Sequence, residues 1–520
     1  MNRENKYWRN RADLRMAEYH KDSDSTIFLI NAAYDKAIRD INADINTIFK
    51  NYMKSSGIPM EKAKSLLNSK INSGVIFNIY KRILQKVKNK KIRQWLLNRL
   101  NAKAYSARIT RLEALKESIY VNCKAIADVE IDESTKLYTK HINTAYFKNI
   151  FDTQKQIGFG FNVAAMPKDN VEEILKNKWS GTHYSKRVWK NTDVLADKLH
   201  KTIAAGLMNG TNSHKMALDI QDLSDYGKFA AERLIRTETT YITNMAEIQG
   251  YKECGVKKYV FVATLDLRTS EMCRKHDKKI YDVEKAVPGE NLPPLHPFCR
   301  SVTIAYRDKE TLNSMRRRAR DPVTGKTYVL DKNMNYDDWY KKYVIDKYDA
   351  DKAVSLEKTI NNKASDKKQY EKYKEVLGKE TPETFDKFQE LKYNNSKEWE
   401  LFKDYTKSRS NNMISVFSSF DDYKKYKGLI ESDIVGLTTS NGIKITGQSK
   451  HFIERVLGTS KDPKTGRARD GVEISDISEA IQNGHVRTRK NDPNSVKFIS
   501  DKCIVSVNPN TGKLIQVNPQ

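Results

Sequence analysis

The chain lacks the features that define secreted and membrane-spanning proteins. Its 520 residues contain only five cysteines, an odd and sparse set that excludes a disulfide scaffold and fits reduced thiols. No apolar run approaches the roughly 18 to 20 residues that span a bilayer, and the charged first ten residues do not resemble a signal peptide. We therefore expect no membrane span and a cytoplasmic setting.

Acidic residues are missing from one long early stretch. The 51 residues between Glu61 and Glu113 carry 14 Lys or Arg, in a chain whose formal net charge is +27. Pro59 is the sole proline of the first 156 residues, so 1–160 is predicted to be a basic, mainly α-helical region. Within it, 81–100 is predicted to be one amphipathic helix with this apolar stripe: Ile83, Val87, Ile92, Leu96 and Leu100. Its charge indicates either a solvated face or a surface for DNA phosphates or an acidic protein.

Changes in composition divide the rest of the chain. A glycine-rich break at 157–162 precedes a core at 161–306, which contains a long predicted helix at 225–251. Residues 307–436 are rich in Lys, Asp, Glu and Tyr, and predict a charged helical spacer of low packing density. The last segment, 441–520, alternates short strands with two helices and predicts a small α+β domain.

One six-residue pattern occurs three times. Asp321 to Lys326, Asp462 to Arg467 and Asn508 to Lys513 each read Asp or Asn, Pro, any residue, Thr, Gly and a basic residue. Asp or Asn opens a turn, Pro fixes φ, and Gly takes the left-handed position. These are predicted turns, and Arg320 stands where a phosphate-binding loop needs its first glycine.

Two cysteine and histidine pairs are the most specific chemical signal. Cys273 with His276, and His296 with Cys299, are each separated by two residues, the spacing at which two side chains reach one tetrahedral Zn²⁺. Asp277 competes for the fourth position. Four protein ligands close the shell of a structural zinc site. The alternative is that the cysteines are small buried thiols and that His296 caps a turn.

The same region resembles a known family. The motifs RLIRTETTYITNMAEIQGY, LDLRTSEMC and PGENLPPLHPFCRS, between residues 225 and 305, resemble the head-morphogenesis, or minor head protein, family of tailed bacteriophages. The positions that match the family's pattern are Arg236, Glu238, Asp266, Arg268, Thr269, Cys273, Asp277, Pro294, His296, Pro297, Cys299 and Arg300. The chain departs from it at Lys278, where the family usually has Gly, and a ligand at the position of His276 is not a fixed family feature.

The resemblance implies a virion protein. It implies a low-copy minor capsid component in the capsid interior or near the portal, present in the host cytoplasm during assembly. Its expected partners are the portal protein, major capsid or scaffold proteins, and the phosphate backbone of packaged DNA. The expected roles are head assembly and the handling or ejection of DNA.

The last 80 residues carry a second resemblance. We predict a strand at 443–446, a helix capped by Ser449, a helix capped by Ser475, and an antiparallel meander of four strands, which are HVRTR, VKFIS, CIVSV and KLIQV. This order, with a His and an Arg four residues apart on the first helix, resembles the phage-associated branch of the barnase, EndoU, colicin and RelE class of ribonucleases.

That resemblance implies catalysis without a metal ion, on an RNA substrate. His451 is the candidate for proton transfer, and Arg455 would stabilise charge on the phosphorane. The candidates for phosphate binding or the second proton transfer are Arg487, Thr488, Lys497 and Ser506. His485 is the alternative general acid, and Gln516 stands where related domains often have Ser or Thr. The alternative is a surface His and Arg pair on an inactive appendage.

Together these patterns predict a multidomain protein. It has a mainly α N-terminal region, an α+β head-morphogenesis core with a zinc site, a helical spacer and a small α+β nuclease-like domain. The function that follows is a phage minor head protein carrying a metal-independent endoribonuclease. The alternative is a purely structural or DNA-binding assembly protein.

Overall fold

The computed structural model forms two compact units, Met1–Lys347 and Tyr348–Gln520, called here the N-terminal and C-terminal units. It describes residues 11–49, 60–104, 108–157, 160, 163–209, 211, 213–309, 312, 317–330, 334–462, 464–488 and 492–520. The predicted glycine-rich boundary at 157–162 falls largely outside these residues. None of the described helices is long and apolar enough to cross a membrane.

The N-terminal unit begins with helices and continues into small sheets. Its helices before residue 254 are α1 Arg11–Ile48, α2 Met60–Asn68, α3 Gly74–Leu84, α4 Lys90–Ala104, α5 Arg111–Ile157, α6 Lys168–Lys176, α7 Tyr184–Met208 and α8 Ser213–Glu253. Strands β1 Lys70–Asn72 and β2 Arg108–Thr110 pair antiparallel. The elements that follow are β3 Lys258–Val262, α9 Glu271–His276, β4 Ile280–Asp282, the 3₁₀ turn Val283–Lys285, β5 Val302–Tyr306, β6 Arg318–Arg320, β7 Thr327–Val329, α10 Tyr336–Tyr340 and the π-helix Lys341–Ile345.

Four long helices build the main core of this unit. Helices α1, α5 and α8 pack on one another, and α7 packs on α5 and α8. The apolar stripe expected along α1 is buried: Ile27, Ile30, Tyr34, Ala37, Ile38, Ile41, Ile45 and Ile48. The predicted helix at 225–251 is confirmed as the larger part of α8, whose Ile235, Ile242 and Ala246 are buried in the same core. Helical spacing of apolar residues therefore located the core correctly.

The basic segment 81–100 forms two helices instead of the one predicted. Between α3 and α4, the carboxylate of Asp128 accepts hydrogen bonds from the backbone N–H groups of Lys88 and Asn89, at 2.6 to 3.1 Å. The Asn89 side chain then accepts from the N–H of Lys91 at 3.0 Å and starts α4. The single-helix prediction is wrong, because a carboxylate of α5 satisfies backbone donors that a continuous helix would have used.

The apolar stripe of this segment is nonetheless on one side. Ile83, Val87, Ile92 and Leu96 are buried in the main core, and part of the positive charge is paired. Arg82 donates to both oxygens of Asp44 at 3.0 and 2.9 Å. The Arg99 guanidinium donates to both oxygens of Glu117 at 2.7 and 3.0 Å.

Two small sheets follow the helices. Strand β3 lies between β4 and β5, antiparallel to both, and β6 pairs with β7 as a hairpin. Val260 and Val262 pack on one face of β3, while Phe261 faces the cysteines on the other. The hairpin joins the segment before α9, because Arg320 N–H donates to the Leu265 carbonyl at 2.9 Å.

The C-terminal unit combines helices with one five-stranded sheet. Its first elements are α11 Asp346–Tyr348, which begins two residues before the unit boundary, α12 Ala350–Asn361, α13 Lys363–Leu377, the 3₁₀ turn Gly378–Glu380, α14 Phe385–Asn394, α15 Ser396–Ser410, α16 Phe420–Leu429 and the π-helix Ile430–Ile434. The remainder is β8 Gly447–Gln448, α17 Lys450–Val456, α18 Ile474–Asn483, β9 His485–Thr488, β10 Val496–Ile499, β11 Cys503–Val507 and β12 Lys513–Pro519.

Aromatic side chains fill the helical half of this unit. Phe388, Trp399, Phe402 and Tyr405 are buried, and the Phe388 and Trp399 rings meet edge to face with centroids 5.3 Å apart. The low packing density predicted for 307–436 is therefore wrong here. The same apolar core continues into the sheet through Phe498, Val505 and Val517 among others. The proposed four-part division of the chain stays a prediction.

The sheet has the strand order β8-β12-β11-β10-β9. The predicted meander is confirmed, since β9, β10, β11 and β12 pair antiparallel in sequence. The strand prediction for 443–446 is wrong: these residues make a single bridge, from Lys444 to Thr438, and the short β8 that follows is parallel to β12. Ser449 stands at the start of α17, but its hydroxyl donates to the Ile515 carbonyl at 2.7 Å and does not cap the helix. Ser475 lies inside α18, whose N-cap is Glu473.

All three predicted turns form with the same hydrogen bonds. In each, the first residue donates its N–H to the carbonyl of the sixth and accepts from the N–H of the glycine, at 2.8 to 3.0 Å. Gly325, Gly466 and Gly512 have φ of 66°, 69° and 66°. The pattern therefore predicted a backbone conformation that requires glycine.

Candidate functional site

The first candidate site gathers two cysteines and a histidine in the N-terminal unit. Helix α9 begins where the Ser270 hydroxyl accepts from the N–H of Cys273 at 3.3 Å, which directs the Cys273 side chain inward. His296 and Cys299 sit on a turn closed by a hydrogen bond from the Cys299 N–H to the His296 carbonyl. The Thr240 hydroxyl of α8 donates to the Cys299 carbonyl at 2.7 Å and holds this turn.

The distances fit a tetrahedral metal ion. The Cys273 and Cys299 sulfurs are 3.6 Å apart, and the Cys273 sulfur is 3.2 Å from His296 Nε2. Zinc bonds of about 2.3 Å to sulfur and about 2.0 Å to nitrogen place such atoms roughly 3.5 to 3.8 Å apart. His296 Nδ1 lies 2.7 Å from the Pro297 carbonyl, to which it can only donate, so Nε2 keeps its lone pair for a ligand. Two thiols and an imidazole are donors that Zn²⁺ prefers.

The electrostatics favour a thiolate at Cys299. Burial alone would raise the pKa of this thiol, but hydrogen bonds with Cys273 and His296 outweigh it and hold the pKa well below its usual value. Cys273 and His296 each have a hydrogen bond with Cys299. In both residues this bond is the main cause of a raised pKa. A thiolate next to a thiol and an imidazole is a donor set that suits a metal ion.

The other two predicted ligands have different partners. His276 Nδ1 lies 2.7 Å from the Tyr281 hydroxyl. Asp277 receives two hydrogen bonds of 3.0 Å from the Arg317 guanidinium and others from the N–H groups of Ala263 and Tyr336. Among the described residues, the group that can share a metal is therefore Cys273, His296 and Cys299.

Sequence reasoning missed two ion pairs that surround the cluster. Asp266 accepts from both terminal nitrogens of Arg300, and Asp277 pairs with Arg317, whose side chain is fully buried. Asp266 and Arg300 were recognised only as matches to a family pattern. Arg317, 40 residues beyond Asp277, carries no local signal for its pairing.

The second candidate site lies on helix α17 of the C-terminal unit. His451 Nδ1 is 3.0 Å from a carboxylate oxygen of Glu454, so Nδ1 carries the proton, because a carboxylate accepts. Arg455 donates Nε–H to His451 Nε2 at 3.2 Å. The structure therefore places His451 and Arg455 in direct contact, and Glu454, three residues along the same helix, is a partner that the sequence analysis did not name.

A chain of charged groups continues from Arg455 to the sheet. Arg455 Nη1 donates to Asp462 at 3.2 Å, and the same carboxylate oxygen accepts from Arg469 at 2.6 Å. Arg469 also donates to the Asn518 side chain on β12 at 2.7 Å. Hydrogen bonds from the N–H groups of Thr465 and Lys464 hold the pKa of Asp462 far below its usual value, with help from both arginines. These residues join α17 to one face of the sheet.

The predicted strand residues divide between the two faces of the sheet. Arg487, Lys497, Ser506 and Gln516 are cross-strand partners, one on each of β9 to β12, and form a single row. Thr488 pairs with buried Val496 and belongs to the opposite, core-facing row. Alternation along a strand therefore separates Thr488 from the other three candidates. Ser506 is buried, and its hydroxyl has no partner among the described residues.

Comparisons with known proteins cover only parts of the chain. Residues 197–304 match the model of the family described as phage Mu protein F like protein. A protein of Enterococcus faecalis named NAD(+)--arginine ADP-ribosyltransferase EFV is 22% identical over 282 residues, which cover 51% of this chain and 56% of that protein. An uncharacterized protein of Haemophilus influenzae is 26% identical over 113 residues, which cover 22% of this chain and 25% of that protein.

The chain thus spans about half of one curated relative and a quarter of the other. No solved structure matches it. The family match includes the second half of α7, all of α8, strand β3, helix α9 and the cysteine and histidine cluster. The match supports a resemblance of residues 197–304 to the phage head-morphogenesis family.

Proposed function

We propose that the protein is a phage minor head protein that acts in procapsid assembly at the portal and in the handling of packaged DNA. The observation that carries this proposal is the family match at residues 197–304. The positive charge of the N-terminal region supports contact with DNA or with an acidic partner surface. Co-purification with the portal protein from cells making procapsids tests it, and a chain found only outside procapsids would contradict it.

We propose that Cys273, His296 and Cys299 bind Zn²⁺ in a structural role, with a fourth ligand from outside these three residues, because a structural site has four. When bound, the ion would tie α9 to the turn at 296–299, as structural zinc ties elements in small domains. Mass spectrometry under native conditions should find one zinc per chain. It should be lost in Cys273→Ser and Cys299→Ser and kept in His276→Gln, whose ring contacts Tyr281. A wild-type protein that folds without zinc, and whose stability does not change when zinc is added, would contradict the proposal.

We propose that the C-terminal unit is a metal-independent ribonuclease. The observation that carries it is a continuous series of hydrogen bonds and ion pairs, which joins His451, Arg455, Asp462, Arg469 and Asn518. Asn518 lies on the same face of the sheet as the row of Arg487, Lys497, Ser506 and Gln516, one row away along the strands. Cationic side chains beside an imidazole provide phosphate binding next to a group for proton transfer.

In this mechanism His451 Nε2 is the basic atom. Glu454 holds the proton on Nδ1, so that Nε2 can take the proton of a ribose 2′-hydroxyl when Arg455 turns from the ring toward the phosphate. The 2′-oxygen then attacks the adjacent phosphorus, and the 5′-oxygen leaves with a proton from a second donor. Arg455 and Lys497 would stabilise the additional negative charge on the phosphorane.

One observation favours the alternative, an inactive C-terminal appendage. Both ring nitrogens of His451 already have protein partners, Glu454 and Arg455, as in a purely structural network. In that reading the protein is a structural or DNA-binding assembly factor, and the charged chain serves only to anchor α17 to the loop at 457–469.

Cleavage of total RNA by the full chain in EDTA distinguishes the two. The ribonuclease proposal predicts fragments with 2′,3′-cyclic phosphate ends, lost in His451→Ala and Arg455→Ala. Lys502→Gln is the control, because this exposed lysine pairs with Asp476 and lies outside the row. No cleavage by folded wild-type protein would support the structural alternative.

A further inference from the structure

A pocket lined by arginines lies in the N-terminal unit, apart from the metal-binding cluster. Its wall combines helix α1, through Met16 and His20, with Arg300 and with the hairpin β6–β7. The hairpin supplies Arg318 and Arg320, which project to the same face because they are two residues apart on β6. The cavity has a volume of about 140 Å³, several times the roughly 30 Å³ that one water occupies in the liquid.

Positive charge exceeds negative charge around this pocket. Three arginines line it, and none of the described residues that line it is acidic. Asp266 is not among the residues that line the pocket, and both of its oxygens accept hydrogen bonds from Arg300. Arg268 is close enough to this group that burial and the charge of Arg300 lower its pKa. Asp266 thus pairs with Arg300 and, at 3.9 Å, with Arg268.

Among the described residues, neither hairpin arginine has a carboxylate partner. Arg318 donates to the Thr327 hydroxyl at 3.0 Å, which is a neutral acceptor. The ion pairs and side-chain hydrogen bonds recorded among the described residues include none for Arg320. Its backbone position is nonetheless fixed, since its N–H donates to the Leu265 carbonyl at 2.9 Å. The guanidinium groups of Arg318 and Arg320 therefore have N–H donors that no described residue accepts.

His20 adds an independent observation. Its Nδ1 is buried and has no partner among the described residues, while its Nε2 lies 3.4 Å from the Thr240 hydroxyl. Burial, with the charges of Arg236 and Arg300, lowers the pKa of His20 to about 3, so the ring is neutral at pH 7. A buried polar atom without a partner is unfavourable unless a ligand or water reaches it.

Because the Thr240 hydroxyl donates to the Cys299 carbonyl, His20 Nε2 donates to Thr240 and Nδ1 is an acceptor. We propose that this pocket binds a phosphate group through Arg318 and Arg320, and that His20 Nδ1 accepts a hydrogen bond from a hydroxyl of the bound molecule. Guanidinium groups match phosphate oxygens with paired N–H donors, and a dianion would offset the excess positive charge. Met16 gives the cavity an apolar side. The phosphate comes from a free nucleotide or from a nucleic-acid strand, and these two sources share the same chemistry at the site.

Thermal unfolding of the full chain at constant ionic strength tests the proposal. Inorganic phosphate and adenosine monophosphate should each raise the Tm of the wild type by a few degrees relative to chloride, because a ligand that binds the folded state stabilises it. Arg318→Gln and Arg320→Gln should abolish the rise. Each should also unfold no lower than the wild type in chloride, since it removes repulsion. Arg108→Gln on β2 removes a charge outside the pocket and is the matched control.

A second arm separates the two sources of phosphate. A fluorescent ten-nucleotide single strand with a 5′-phosphate is compared with the same strand bearing a 5′-hydroxyl and with adenosine monophosphate as competitor. Binding of the strand that Arg320→Gln weakens at least tenfold identifies nucleic acid, and binding of the mononucleotide alone identifies a nucleotide. An unchanged Tm with every phosphate probe, or an equal rise in the Arg318 and Arg320 variants, would overturn the proposal. The result is independent of the ribonuclease proposal, which concerns the other unit.

Discussion

In the N-terminal unit, a buried ion pair shows how strongly individual residues can affect stability. Asp277 and Arg317 are the most enclosed ion pair near the cysteine cluster, with side chains that are 1% and 0% exposed. Removing one partner of a buried pair leaves an uncompensated charge and costs about 3 to 5 kcal/mol. Truncation of either residue is therefore expected to be more destabilising than truncation of an exposed pair.

We predict that Arg317→Met lowers the free energy of unfolding by several kcal/mol, as measured by urea denaturation. Lys275→Gln, which breaks an exposed pair with Glu271, should change it by less than about 1 kcal/mol. Asp277→Asn should destabilise the protein in the same way while keeping its metal content. Loss of metal in a folded Asp277→Asn protein would show that the carboxylate is a ligand after all.

Glu130 gives a prediction for pH. Burial raises the pKa of this carboxyl to about 8, against which the Tyr34 hydroxyl at 3.5 Å donates a weak hydrogen bond. Between about pH 4.5 and 8 the folded state holds a proton that the unfolded state has lost, so stability falls as pH rises through this window. Glu130→Gln should reduce that decline by up to about 1.4 kcal/mol per pH unit in urea denaturation at pH 5, 6, 7 and 8. Equal slopes for the two proteins would contradict it.

At the scale of elements, local patterns were read correctly and distant partners were not. The stripes of α1 and α8, the meander β9 to β12 and the three turns follow from residues within a few positions of one another. The break between α3 and α4 depends on Asp128, about 40 residues away, and nothing in 81–100 signals it. Likewise, the spacing of Cys273, His296 and Cys299 predicted that their side chains lie together. It did not predict that His276 contacts Tyr281 and that Asp277 pairs with Arg317.

The sheet yields a prediction that depends on strand alternation. If the row of Arg487, Lys497 and Ser506 holds RNA, Lys497→Gln should reduce cleavage at least tenfold. Thr488→Val should leave the rate within twofold, because Thr488 lies in the opposite row. The measurement is the initial rate of cleavage of one labelled RNA. A Thr488→Val variant as impaired as Lys497→Gln would show that the site does not follow this face.

At the scale of the whole molecule, the last 80 residues share their core with earlier helices. Trp399, Phe402 and Ile434 belong to the same apolar cluster as Phe452, Phe498 and Val505. We predict that residues 348–520 unfold cooperatively on their own, whereas residues 441–520 alone do not, as followed by circular dichroism on heating. Cooperative unfolding of 441–520 at the same temperature would show that the helical half adds nothing to its stability. Composition could not reveal this, because the charged surface of 348–436 conceals its aromatic interior.

The three matching turns allow backbone and charge to be separated at Asp462. Its Oδ1 accepts from the N–H groups of the turn, as Asn508 does in the third copy, while its Oδ2 binds Arg455 and Arg469. An Asn side chain can accept the hydrogen bonds of the turn, but it carries no charge to pair with the arginines. Asp462→Asn should therefore keep the turn and lose the ion pairs with Arg455 and Arg469. The same loop shape thus serves as an ordinary chain reversal at Asn508, and at Asp462 it also presents a counterion to two arginines.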